Sequence, residues 1–110
     1  MDKLEELLEL QKAFQEKYKE RFSYTKFLVS IAMLVESVEL MAKTEFNLGK
    51  TFKWWSKKPI PERKDRVEEL VDVLHFFLLY MLEENITAEE LFKAYSEKLL
   101  ENYARQERGY

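Results

Sequence analysis

Glu69-Leu70-Val71-Asp72-Val73-Leu74-His75-Phe76-Phe77-Leu78-Leu79-Tyr80-Met81-Leu82 is the stretch on which the fold turns. From Leu70 to Leu82 only Asp72, His75 and the Tyr80 hydroxyl are polar, so a helix here must be buried on most of its sides. Pro61 suits the first turn of that helix, because its missing N–H is not needed there, and the pattern continues to about Glu84.

Upstream, Phe27 to Val35 is apolar nearly all round, which predicts a second central helix opening near Ser23 and running to about Asn47, with Gly49 just past its end. Leu4, Leu7, Leu8, Phe14 and Tyr18 recur at three- and four-residue intervals and predict a first helix from about Asp2 to Arg21. Its stripe is interrupted by Gln11 and Gln15, four residues apart on one face. Residues 48–61, with Gly49, Pro59 and Pro61 around a Lys- and Trp-rich interior, form the one substantial loop. Thr87-Ala88-Glu89-Glu90 reads as a capping box, with Ile86 and Leu91 as its hydrophobic staple, and opens a fourth helix to about Gln106. The expectation is a single all-α domain over residues 1–110, bundle-like, with the second and third helices as an antiparallel central pair.

Composition sets the outer bounds. The 110 residues carry 18 Lys+Arg and 21 Asp+Glu, with two Gly, two Pro and no Cys. Few turn formers exclude a β sandwich and collagen-like repeats, and 46% hydrophobic residues exclude disorder. A chain of this size is expected to bury about 65% of its unfolded surface. The lack of cysteine removes disulfides, thiolate catalysis and cysteine-held metals, and points to a reducing compartment, hence a cytoplasmic address. No apolar run reaches the roughly 18 residues that span a bilayer, and the acidic start Met1-Asp2-Lys3-Leu4-Glu5-Glu6 is wrong for a signal peptide. The net charge of −3 disfavours a nucleic-acid polymer as partner.

Chemistry is suggested by carboxylates where a core should be. Glu36 and Glu39 lie one turn beyond the most apolar part of the second helix, and Glu69 and Asp72 repeat the spacing on the third. An antiparallel pair lets these four face each other, and their mutual repulsion calls for cations. Hard oxygen donors without Cys or His select Mg²⁺, with Mn²⁺ as a substitute, and Mg²⁺ implies phosphate chemistry. The plainer alternative pairs the acids with Lys43, Arg63 and Arg66. His75 reads either as a core histidine or as a polar contact to a base or sugar. Trp54 and Trp55 either cap the core or, beside Lys53, Lys57 and Lys58, offer a stacking platform with phosphate ligands. Lys98, Asn102 and Arg105 share one stripe of the fourth helix, either as a plain exposed face or as a grip for polyphosphate.

Gln11, the Glu36-Ser37-Val38-Glu39-Leu40 run, Phe52-Lys53-Trp54-Trp55-Ser56, Glu68 to Phe76 and the ending Asn102-Tyr103-Ala104-Arg105-Gln106-Glu107-Arg108-Gly109-Tyr110 together resemble the dimeric all-α dUTPases. These belong to the all-α nucleoside triphosphate pyrophosphatases, which also include the MazG-type enzymes. The resemblance implies that Glu36, Glu39, Glu69 and Asp72 hold Mg²⁺ and that one of the glutamates orients the attacking water. It implies that Gln11, Trp55 and His75 line the base pocket, with Gln15 beside them and Lys53 on the same loop, while Lys98, Asn102 and Arg105 neutralise the phosphates. Gln15 stands where a shorter Asn or Asp is usual, and Leu99 where a second Asn is usual. The expected activity is hydrolysis of dUTP, and of dUDP, to dUMP. A related enzyme for another nucleotide and a non-catalytic helical interaction module are the alternatives. The expected assembly is a homodimer, with the pairing of two dimers left open.

Overall fold

The computed structural model describes residues 2–109, so Tyr110, the last residue of the C-terminal motif, and Met1 lie outside the described residues. Among those described, four α-helices, α1 (Lys3–Lys17), α2 (Lys26–Ala42), α3 (Arg63–Glu83) and α4 (Ala88–Glu107), and a 3₁₀ turn at Lys19–Arg21 are the helical elements. The all-α expectation holds.

Each boundary has a local cause. Asp2 caps α1 by accepting the Glu5 N–H at 2.8 Å. The helix ends at Tyr18, whose ring lies 5.1 Å from that of Phe14 and takes Lys17 and Arg21 over its face. Thr25, not Ser23, caps α2, its hydroxyl accepting the Leu28 N–H at 3.2 Å. At the other end α2 stops at Ala42, five residues before the expected Asn47. There Asn47 and Lys50 exchange N–H···O bonds across Leu48 and Gly49, both at positive φ, so Gly49 serves a two-residue reverse turn rather than a helix cap. Pro61 sits before the N-cap Glu62, and the Asp65 side chain accepts the Glu62 N–H at 3.1 Å to start α3. Asn85, at φ 56°, closes α3 through Asn85 N–H to Leu82 O and Ile86 N–H to Met81 O. Thr87 caps α4 through the Glu90 N–H at 3.1 Å.

Two ion pairs fix the direction of the central pair. Lys26, at the start of α2, meets Glu84, just past the end of α3, at 3.0 Å, and Lys43, past the end of α2, meets Glu69 near the start of α3. The helices are therefore antiparallel. α1 lies against α3, and α4 touches α1 only lightly. The core of Val29, Leu78, Leu79, Met81 and Ala88 gathers near the α3–α4 turn.

The chain is far from closed on itself. Its accessible surface is 9271 Å², against about 6,500 Å² for a compact protein of this mass, so it buries about half of its unfolded surface instead of 65%. The radius of gyration is 17.5 Å, where a compact chain of this length has about 13 Å. Phe27, Leu28, Leu34, Val35 and Met41 on α2 are exposed, as are Leu70 and Val71 on α3 and Phe92, Tyr95, Leu100 and Tyr103 on α4. The expectation that α2 and α3 are covered on most sides thus fails within one chain. Apolarity of a helix records that something covers it, not that its own chain does.

Candidate active site

The α2–α3 interface brings carboxylates together as the antiparallel pairing requires. Glu36, Glu69 and Asp72 each place an oxygen within 4.8 Å of the others. Glu36 and Glu69 are half-buried, while Asp72 is exposed. Burial pushes the Glu36 carboxyl above the ordinary value, and the charges of Asp72, Glu69 and Glu39 push it the same way. Lys43 bonds Glu69 at 2.5 Å, and that bond raises the ammonium above the ordinary lysine value. One cation thus offsets one of three anions.

The three oxygens converge and all are hard donors, so the residues fit a hard divalent ion such as Mg²⁺. Glu39 falls outside this trio. It is exposed and lines a neighbouring 240 Å³ pocket with Lys43, Lys50, Lys53 and Lys58. Of these lysines Lys50 had no signal in the sequence beyond its place after the Asn47-Leu48-Gly49 turn.

A second cavity, 370 Å³, opens between α1 and α3 and is lined by Gln11, His75, Phe14, Leu10, Val71 and Leu74, among others. Gln11 is 8% exposed and is the buried polar residue of the described chain. His75 sits edge-on to Phe14 at 5.7 Å and to Phe76 at 5.0 Å. Burial lowers its pKa and outweighs the Asp72 charge, so the ring is neutral at pH 7. A neutral imidazole and an amide in an apolar cleft offer directional hydrogen bonds without net charge, which suits an uncharged heterocycle.

Other expected residues line neither of these two cavities. Gln15 is one turn behind Gln11 and lines a separate cleft of 670 Å³ with Glu83. Trp55 is exposed on the loop, edge-on to Trp54 at 5.7 Å, over a depression shared with Lys53, Lys57 and Lys58. Lys98 and Asn102 are exposed on α4, and Arg105 approaches Glu101 at 3.4 Å. None of these three lines a cavity with the carboxylates among those described.

Fold and centre together define an all-α protein whose acidic interface can take a divalent cation beside a lysine-lined pocket. Residues 3–87 match the dUTPase family, and the chain belongs to that family of nucleotide-hydrolysing enzymes. The chain is 30% identical over 89 residues to the dCTP pyrophosphatase of Enterobacteria phage T4, covering 70% of this chain and 52% of the phage protein. It is 50% identical over 42 residues to the dCTP pyrophosphatase of Enterobacteria phage LZ5, covering 38% of this chain and 24% of that protein. The chain therefore spans between about a quarter and about half of the length of these relatives. No solved structure matches it. Among the described residues, no helix is long and apolar enough to cross a membrane.

Proposed function

We propose that this chain is a Mg²⁺-dependent nucleoside triphosphate pyrophosphohydrolase that converts dUTP, and also dUDP, to dUMP in the cytoplasm. The observation that carries this reading is the meeting of Glu36, Glu69 and Asp72 at the α2–α3 interface, beside a pocket lined by four lysines. When bound, Mg²⁺ supplies charge neutralisation for the phosphate oxygens and for the leaving group. Glu36, Glu69 and Asp72 hold the ion, and Glu39, one turn from Glu36, orients a water and takes its proton. Lys53 and its neighbours hold the phosphates, Gln11 and His75 contact the base, and Trp55 stacks on it.

Membership of the dUTPase family supports uracil as the base. A second reading, dCTP as substrate, is favoured by the two phage relatives, which are dCTP pyrophosphatases. Release of pyrophosphate from a panel of dUTP, dCTP and dTTP, with Mg²⁺ and with EDTA, tests both. Turnover confined to dUTP supports the first reading, turnover confined to dCTP the second, and no turnover with Mg²⁺ removes the enzymatic reading.

The same reading includes a homodimer. The surface excess of roughly 2,800 Å² per chain over a compact monomer is the scale that obligate dimers bury. Lys98, Asn102 and Arg105 then join the phosphate site of a second copy through α4, which barely touches its own chain.

A further inference from the structure

Gln11 and Gln15 are linked to two further residues by hydrogen bonds. Gln11 Nε2 donates to Gln15 Oε1 at 2.6 Å, and Gln15 Nε2 donates to the Tyr24 hydroxyl at 3.1 Å. The Tyr24 hydroxyl in turn faces the carboxylate of Glu83 at the end of α3. Gln15 Nε2 is the donor in that bond, so the Tyr24 hydroxyl accepts from it and keeps its own proton for the Glu83 side. That order fixes each amide in turn. Rotating either glutamine by half a turn would set like group against like group in a half-buried place, which costs more than a missing bond in water. Gln11 is left with its carbonyl oxygen and one N–H for the cavity it shares with His75.

We propose that Tyr24 and Gln15 are positioning residues, which through Glu83 lock the amide of Gln11 so that it presents an adjacent acceptor and donor to the edge of a pyrimidine base. This rests on the nucleotide-hydrolase reading and deepens it. It explains why a long Gln15 serves here, since only its reach joins Gln11 to a tyrosine on the segment between α1 and α2. Gln15 itself lines a different cleft and acts on the base only through Gln11.

Three variants of the full chain test it, each assayed for KM and kcat on dUTP and dCTP with Mg²⁺, alongside side-chain amide NMR of Gln11. Tyr24→Phe and Gln15→Leu should raise KM about three- to tenfold with kcat within about twofold, and should narrow the preference between the two nucleotides. Gln15→Glu keeps the acceptor for Gln11 but has no N–H to donate to Tyr24, so it should raise KM as Tyr24→Phe does and by less than Gln15→Leu, with Gln11 amide shifts closer to wild type than those of Gln15→Leu. Packing alone predicts instead that Gln15→Glu and Gln15→Leu suffer equally. That result, or an unchanged KM in both Tyr24→Phe and Gln15→Leu, overturns the assignment while wild-type turnover keeps the functional reading. Wild-type protein with no turnover overturns both together.

Discussion

Lys43, one residue beyond α2, is paired with Glu69 of α3 at 2.5 Å, while Glu36 and Asp72 of the same carboxylate trio make no ion pair among the described residues. The antiparallel α2–α3 pairing that aligns the apolar faces therefore also creates a centre with surplus negative charge. Removing charge from it should stabilise the metal-free protein and destroy its use. Asp72→Asn should raise the melting temperature in EDTA by about 2–4 °C, from relief of about half a kcal/mol of repulsion. It should cut kcat by at least about a hundredfold. Thermal melts in EDTA and a pyrophosphate assay in Mg²⁺ check the two halves.

Lys43→Met should act in the opposite sense on the metal-free protein. Losing the lysine leaves three anions without a paired cation, so the melt in EDTA should drop by a few degrees. Millimolar Mg²⁺ should raise the melting temperature of Lys43→Met by more than it raises that of the wild type. Equal gains in both proteins would show that the trio does not hold the ion.

His75 supplies a pH dependence whose sign is fixed by burial. Its folded pKa lies below the ordinary 6.5, so the unfolded chain binds the extra proton more readily. The stability contributed is present above about 6.5 and is lost as pH falls through the lower folded value. Urea melts from pH 8 to pH 5 should show a steeper loss for wild type than for His75→Gln. The difference between the two curves isolates this ring from the carboxylates, which titrate in both.

Much of this was legible in sequence, and the gaps have physical causes. Four helices and the α2–α3 carboxylate meeting follow from spacing, because an apolar stripe fixes which residues face a neighbour. The end of α2 did not follow. Residues 43–47 could continue a helix, and only the Asn47-Leu48-Gly49-Lys50 turn, a competing local structure, decides that they do not. Glu39 shares a helical face with Glu36 at a spacing of three, yet that spacing leaves it about 60° round the helix, enough to aim it at the lysine pocket. Tyr24 gave no signal at all. Its role depends on where the connecting segment crosses α1 and α3, which no local pattern encodes.

The exposed apolar faces predict the behaviour of interface variants. Leu34→Glu on α2 or Leu100→Glu on α4 places a charge on a surface that a second copy would dry out, at a cost of several kcal/mol. Sedimentation velocity should show wild type at twice the chain mass and either variant shifted toward monomer. Turnover should fall with it, because the α4 donors then no longer reach a second copy.

Trp54 and Trp55, the only two tryptophans, separate base stacking from loop architecture. Both are largely exposed and they meet edge to face, so neither is held by the core and truncation of either leaves the helices intact. Stacking on a base is worth about 1–3 kcal/mol, so Trp55→Ala should raise KM between about fivefold and a hundredfold with kcat little changed. Trp54→Ala removes only the edge contact that steadies Trp55, worth about 0.5–1.5 kcal/mol, and should raise KM about tenfold at most. Fluorescence gives an independent reading. In Trp54→Ala the remaining indole should still be quenched by added nucleotide, whereas in Trp55→Ala the quenching should be largely gone. Quenching that persists in Trp55→Ala and vanishes in Trp54→Ala would move the platform by one residue.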